Sequence, residues 1–162
     1  MPVYEDRSED DANQGDVFAD VPFGLYPRPD GDASLGMIIS HDCDCDKFLK
    51  PKTPIPEDQL PLWPITLAPV HPIEELTASR IKAVRDGKMP RYFHLPENGE
   101  LPELVADLWL EQPVPMQQVL ACERQASLSD EWRGRLWAQV IRLRTGRDLS
   151  SAIARAVEEM RA

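Results

Sequence analysis

The chain has 162 residues, a hydrophobic content of 42% and a formal net charge of −10, and this length is enough for one domain with its own core. It contains no apolar run near the roughly 20 residues of a membrane span, and because no positively charged start precedes an apolar stretch, we expect no secretory signal. Two of the three cysteines lie one residue apart, which does not suit a disulfide framework. We therefore expect a cytoplasmic protein.

The negative charge is concentrated at the start of the chain. Residues 1–35 contain nine acidic residues and two arginines, whereas residues 123–162 contain eight arginines and six acidic residues. An acidic surface repels the phosphate backbone, which excludes simple non-specific nucleic-acid binding by the first part. Residues 1–14 are polar and have little to bury, so we predict an acidic flexible tail there.

Short apolar stretches bounded by glycine and proline predict a domain with several short strands over residues 15–121. The expected strands lie at 15–23, 36–40, 62–68 and 91–95, and residues 104–110 fit either a strand or a short helix. Pro64 predicts that the third of these strands has an edge or bulged position, because proline cannot donate a hydrogen bond to a neighbouring strand. Helical spacing predicts an inserted helix at 73–86, and Gly87 stands where a helix usually ends.

The last part of the chain, residues 122–162, predicts a pair of helices that pack on this domain. Ser127 followed by Asp130 resembles a capping box at the start of the first helix, and Gly146 separates the two helices. The first helix carries an apolar stripe at helical spacing. Its members are Trp132, Leu136, Val140 and Leu143.

The densest group of reactive side chains follows the second strand, as Ser-His-Asp-Cys-Asp-Cys-Asp at residues 40–46. We interpret this segment as extended, so that Cys43 and Cys45 face the core. The alternating aspartates would then face water or cap backbone amides of the following turn.

Two other chemistries stay open for the same segment. His41, Cys43 and Cys45 are ligand types that bind Zn²⁺, but in an extended chain residues two apart lie roughly 6.6 Å from each other. One ion could be held only if the chain turned sharply here. A cysteine beside a histidine and an aspartate is also the residue set of a thiol hydrolase. We predict no metal and no cofactor, with the zinc site as an alternative.

The order of the predicted strands resembles a known family. Gly15-Asp16-Val17-Phe18 opens a strand, a loop with Arg28 follows, and the next two strands end in Ser40 and Thr66. This pattern resembles the MazF/PemK-like family, whose members open with Gly-Asp-[Ile/Val]-[Val/Tyr] and continue with Val-Ile-Ser and Pro-Ile-Thr strands. The resemblance implies an α+β fold, namely a small SH3-like antiparallel β-barrel over residues 15–121 with an inserted helix, followed by a C-terminal helical pair, usually as a dimer.

The resemblance also implies a catalytic alternative, a metal-independent endoribonuclease toxin. Arg28 would be the transition-state cation, and Thr66 or Ser40 would position the phosphate or the attacking 2′-hydroxyl, because RNA cleavage needs positive charge on the developing phosphorane. The toxins usually have Arg-Pro where this chain has Ala33-Ser34-Leu35. The acidic segment instead resembles a less characterised set of bacterial and phage proteins with Ser-[His/Gln]-Asp-Cys-Asp.

Taken together, these features predict a non-catalytic binding or regulatory module on a degenerate toxin-like barrel, acting through protein–protein contacts. The predicted binding residues are His41, Asp42, Cys43, Asp44 and Asp46. The partner would be another protein, for example a nucleic-acid-binding one whose phosphate site the carboxylates mimic, or a second copy of the chain. Direct nucleic-acid contact belongs to the endoribonuclease alternative, and no membrane is expected. Three tryptophans are interpreted as anchors of the core or of an interface: Trp109, Trp132 and Trp137.

Overall fold

The structure is a computed structural model that describes residues 2–6, 12–24, 34–50, 55–56, 58–59 and 63–146. Within these ranges the chain is α+β, with seven strands and four α-helices. The strands are β1 (Asp16–Phe18), β2 (Leu35–Ile38), β3 (Pro64–Pro72), β4 (Tyr92–Leu95), β5 (Leu104–Asp107), β6 (Gln112–Pro115) and β7 (Arg124–Ser127). The helices are α1 (Asp42–Leu49), α2 (Ala78–Arg85), α3 (Met116–Leu120) and α4 (Asp130–Thr145). None of the described helices is long and apolar enough to cross a membrane.

All strands belong to one curled, barrel-like antiparallel sheet, whose order is β4-β5-β3-β2-β1-β7, with β6 also paired to β3. β3 is the centre of this sheet because it pairs with three strands, β2, β5 and β6. The edge position predicted from Pro64 is therefore wrong. Pro64 is the first residue of β3, where a missing N–H disturbs the hydrogen-bond ladder least.

The two faces of the sheet carry different helices. Successive residues of a strand point to opposite faces. Accordingly, Val17 joins the cluster packed against α4, whereas Phe18 joins the cluster packed against α1 and α3. A third, smaller cluster is covered by α2. The helices around the sheet thus bury both of its faces, and α1 and α4 meet beside β1.

The predicted inserted helix is present but divided. A 3₁₀ turn occupies Ile73–Glu75, and α2 starts only at Ala78, after Leu76 and Thr77 adopt extended backbone angles. Gly87 has φ +66° just past α2, which is the left-handed conformation that glycine allows at a helix end.

The C-terminal part differs from the prediction in its first residues. Ser127 does not cap a helix, because it lies in β7 opposite Asp16; the residue at the N-cap of α4 is Ser129. The apolar stripe of α4 is confirmed, since Leu136 and Val140 are buried in the core. The second predicted helix lies outside the described residues.

The start of the chain contacts the sheet on both of its edges. Tyr4 forms an antiparallel bridge with Leu128, and the Glu5 N–H donates to the Ser127 carbonyl at 3.0 Å. The Tyr4 hydroxyl donates to the Pro96 carbonyl, just after β4, at 2.8 Å. Residues 2–6 therefore join β7 to the end of β4 across the opening of the curled sheet, a role that the acidic composition did not indicate.

Candidate functional site

The acidic segment after β2 is helical, and the extended conformation predicted for it is wrong. His41 is the N-cap of α1, and its ring Nδ1 accepts a hydrogen bond from the Cys43 N–H at 3.2 Å. Asp42 and Asp44 lie in the first turn and Lys47 in the last, so their charges complement the helix dipole. Two of the aspartates that resembled an alternating strand thus form the acidic first turn of a helix, and Asp46 follows in its next turn.

The helical conformation separates the cysteines. Cys45 is fully buried beside Phe48 and Leu49 on the side of α1 that faces the core, whereas Cys43 is exposed. Burial, and then the negative charges of the surrounding aspartates, raise the pKa of Cys45 to about 12. Cys45 is therefore a neutral packing residue.

The separation also bears on the zinc alternative. A site that joined His41, Cys43 and Cys45 would need the two thiols on one side of the chain. Among the described residues, no three histidine, cysteine, aspartate or glutamate side chains are grouped so that they could hold a metal ion. The geometry gives the zinc alternative no support.

Asp42 fixes the start of α1 to two other parts of the molecule. Its Oδ1 accepts a hydrogen bond from the Gln14 N–H at 2.6 Å, and its Oδ2 accepts one from Arg133 Nη1 of α4 at 3.2 Å. The Gln14 side chain in turn donates to the Ile39 carbonyl at 2.8 Å. One carboxylate therefore joins α1, the segment before β1 and α4.

His41 makes a further contact between α1 and α4. Its ring contacts the Trp137 indole edge-on, with ring centres 5.3 Å apart and an interplanar angle of 65°. Aromatic pairs prefer this geometry. Trp137 and Trp132 both pack against the core. Of the predicted binding residues, His41, Cys43 and Asp46 are exposed, and they are presented on a helix whose first turn is held in place.

The residues implied by the family resemblance are partly brought together. The Thr66 N–H donates to Ser40 Oγ at 2.8 Å, and the Thr66 carbonyl accepts from the backbone N–H of Ile39 and of Ser40. Both residues thus stand where β2 ends against β3, and the Ser40 hydroxyl oxygen accepts a backbone hydrogen bond. Arg28 lies outside the described residues.

A second site surrounds Trp109, which the sequence indicated as an anchor of the core or of an interface but did not connect to any neighbour. Trp109 is 64% exposed, and Leu120 at 37% is the other exposed large hydrophobic residue of the described part. Trp109 lies in a 3₁₀ turn, Leu108–Leu110, whose N-cap is Asp107; the Trp109 N–H donates to Asp107 Oδ1 at 3.1 Å. Its backbone is therefore fixed although its side chain is exposed.

The guanidinium of Arg91 lies over the ring of Trp109. Its guanidinium carbon lies 5.0 Å from the centre of the Trp109 ring and 4.9 Å from that of Tyr92. Arg91 Nε also donates to Asp107 Oδ1 at 2.9 Å, and this hydrogen bond raises the pKa of Arg91. The buried Asp107 carboxylate thus orients the Arg91 guanidinium, which contacts the ring of the exposed Trp109.

One side of α4 connects the two sites. Trp137, Ile141 and Arg144 are spaced four and three residues apart, which places them on the same side of a helix. Trp137 contacts His41, and Arg144 Nη2 pairs with Glu111 at 2.9 Å. Glu111 follows directly after the turn that carries Trp109, so this side of α4 runs from the start of α1 to the Trp109 turn.

Comparison with protein-family models and with curated proteins gives no significant match. Two features of the described chain combine a defined geometry with an exposed surface, namely the anchored start of α1 and the supported side chain of Trp109.

Proposed function

We propose that the protein is a non-catalytic binding module that acts through contacts with another protein. The observation that carries this proposal is Trp109, which is 64% exposed and rests on Arg91. Tryptophan, tyrosine and arginine are the residue types that contribute most of the energy in protein interfaces. An exposed tryptophan that lies against an arginine therefore has the residue composition found at the centre of protein interfaces.

The contacts that hold Trp109 in place lower the free-energy cost of binding a partner through its side chain. Ordering a mobile side chain in an interface costs about 0.5–1.5 kcal/mol. Here the Asp107 cap fixes the turn, and the stacked Arg91 restricts the indole. A partner would therefore gain the burial of the indole without first having to immobilise it.

The exposed residues of α1 form the second part of the proposed surface. His41, Cys43 and Asp46 are exposed on α1, and the net charge of the chain is −10. Complementary charge at the margin of an interface speeds association and selects partners. We therefore expect the partner to present a positively charged patch next to an apolar pocket for Trp109.

The proposal is tested by capture from a lysate of the source cells with immobilised wild type, Trp109→Ala and Leu120→Ala. Leu120 is the matched control, because it too is a large exposed apolar residue. A protein captured by wild type and by Leu120→Ala but not by Trp109→Ala is the expected result. Sedimentation velocity of the purified chain shows whether a second copy is that partner. Capture of the same proteins by Trp109→Ala would contradict the proposal.

We also propose that the curled sheet is a divergent SH3-like barrel of the MazF/PemK-like type. The three strands that carry the resembling motifs are antiparallel neighbours, in the order β3-β2-β1. The adjacency of Ser40 and Thr66 favours the endoribonuclease as the second candidate function. Cleavage of RNA by the purified protein, lost in Thr66→Val and in Arg28→Ala without a change in unfolding, would favour this candidate over a binding module.

A further inference from the structure

We propose that Gln139 of α4 is a positioning residue for Trp109, the centre of the proposed binding surface, and that it acts through Arg91. The inference rests on the proposed protein-binding function, because it concerns how the central side chain of that surface is held in place. It is carried by two hydrogen bonds of the Gln139 amide, by the backbone that they fix, and by the short distance between the Arg91 guanidinium and the Trp109 ring.

The Gln139 side chain binds the backbone on both sides of Arg91. Its Nε2 donates to the Pro90 carbonyl at 3.0 Å and to the Tyr92 carbonyl at 2.9 Å. A side-chain amide nitrogen carries two hydrogens, so both of them are used. Tyr92 is the first residue of β4, which is the last strand on its side of the sheet. Gln139 thus attaches α4 to the edge of the sheet at the point where Arg91 enters it.

The carbonyl of Arg91 is held by the turn that carries Trp109. It accepts a hydrogen bond at 2.8 Å from the N–H of Leu108, the residue directly before Trp109 in the chain. Three successive carbonyls, those of residues 90, 91 and 92, are therefore hydrogen-bonded. Because the rotamers open to a side chain depend on its backbone angles, these hydrogen bonds restrict the path by which the Arg91 side chain reaches the Trp109 ring.

The contact between Arg91 and Trp109 is sensitive to small displacements. The guanidinium carbon lies 5.0 Å from the centre of the Trp109 ring, and a cation attracts an aromatic ring mainly within about 6 Å of its centre. A displacement of the Arg91 backbone by about 1 Å would bring the pair to that limit. The hydrogen bonds that fix residues 90–92 therefore also determine how the exposed indole is held.

A second contact of α4 with the same turn is expected to matter less. Arg144 Nη2 pairs with Glu111, which follows the turn, at 2.9 Å, but the Arg144 side chain is half exposed. Exposed ion pairs contribute little to stability, whereas loss of the Gln139 amide leaves two partly buried carbonyls without this donor. The geometry therefore assigns the positioning role to Gln139.

The test labels the full-length chain with fluorotryptophan and follows the fluorine NMR signals of its four tryptophans. The signal that is missing in Trp109→Phe belongs to Trp109. Gln139→Met keeps the length of the side chain but has no N–H donor, and we expect it to shift the Trp109 signal by more than the width of that signal. Gln139→Glu should shift it too at neutral pH, because a carboxylate accepts hydrogen bonds but does not donate them.

Val140→Ala separates positioning from a general loss of stability. Val140 is buried in α4 next to Gln139, and its side chain has no hydrogen-bond donor to lose, so the Trp109 signal should stay within its width. Arg91→Lys tests the path of the effect. It should shift the Trp109 signal by itself, and the addition of Gln139→Met should change that shift by no more than about a fifth, since residues that act on one contact are not additive.

An unchanged Trp109 signal in both Gln139 variants, or an equal shift in Val140→Ala, would overturn the inference. So would fully additive shifts of Gln139→Met and Arg91→Lys. Loss of folding in both Gln139 variants would overturn it as well, because Gln139 would then maintain the whole fold. The measurement uses no partner protein, so the positioning role can fail while capture through Trp109 succeeds, and the reverse.

Discussion

The guanidinium carbon of Arg91 lies 5.0 Å from the centre of the Trp109 ring, and the same guanidinium is hydrogen-bonded to the Asp107 carboxylate. Asp107 also caps the turn that carries Trp109. Asp107, which is almost completely buried, thereby fixes both the backbone of Trp109 and the guanidinium that lies over the Trp109 ring. Trp109 is the most exposed large apolar residue in the described chain. The arrangement uses a buried charge to hold an exposed aromatic ring, which suits a surface that binds.

The Asp42 carboxylate is expected to contribute more to stability than the other aspartates of α1. Asp42→Ala removes hydrogen bonds to Gln14 and Arg133, and we expect it to lower the free energy of unfolding by about 1–3 kcal/mol. Asp46→Ala, in the same helix, removes an exposed pair with Lys50 at 3.9 Å and should cost less than about 0.5 kcal/mol. Urea unfolding measures both; equal losses would contradict the anchoring role of Asp42.

Arg124 is predicted to be needed because it neutralises a buried carboxylate. Arg124 Nη1 lies 3.1 Å from Asp16 Oδ2, and Asp16 is fully buried. Arg124→Ala leaves that charge unpaired and should cost about 3 kcal/mol near neutral pH.

The control for Arg124 is Arg135→Ala, which removes an exposed pair with Glu131 and a contact with the Trp132 ring at 4.8 Å and should cost about 1 kcal/mol or less. Burial raises the pKa of Asp16, and loss of Arg124 would raise this pKa further. The cost of Arg124→Ala should therefore shrink as the pH falls and Asp16 becomes protonated. A cost that does not change with pH would show that the lost ion pair is not its cause.

The strands and the long helix were the parts of the fold that could be predicted from the sequence. β1, β2, β4 and α4 have strong local patterns, such as the stripe that includes Leu136 and Val140. α1 was missed because alternating aspartates and cysteines match a period of two. The signals for a helix were acidic residues in its first turn and the spacing of Cys45, Phe48 and Leu49.

The site could be predicted only in part, because its main contacts join residues that lie far apart in the sequence. The sequence pointed to the segment at 40–46 and to an anchoring role for the tryptophans. It could not show that Arg91 stands beneath Trp109, because that depends on the pairing of β4 with β5, which places Tyr92 opposite Asp107. Likewise, Asp42 and Arg133 are distant in sequence and meet only when α4 crosses beside α1.

Glu103 should make the stability of the protein depend on pH in the acid range. Hydrogen bonds from Arg85 and then His94 lower the pKa of Glu103 from 4.5 to about 2. Because the folded state has the lower pKa, this contribution to stability is present above about pH 4.5 and is lost as the pH falls towards about 2. Glu103→Gln should flatten this part of the curve of unfolding free energy against pH. An unchanged slope in Glu103→Gln would contradict the assignment.

The three free thiols should react with a thiol reagent in the order of their exposure. Cys43 is exposed, Cys122 is partly buried, and Cys45 is fully buried with its pKa raised to about 12. In the folded protein at mildly alkaline pH, we expect rapid labelling of Cys43 and labelling of Cys45 only after unfolding. Mass spectrometry of proteolytic fragments identifies each site. Rapid labelling of Cys45 would contradict the helical placement of residues 42–49.

The most direct test of the binding function is the affinity for the captured partner, measured by isothermal titration with wild type, Trp109→Ala, Arg91→Lys and Leu120→Ala. If Trp109 is the centre of the interface, its removal should weaken binding about 30-fold or more, which corresponds to about 2 kcal/mol. Arg91→Lys should weaken binding less, and Leu120→Ala should stay within about threefold. An affinity of Trp109→Ala equal to that of wild type would contradict the proposed function.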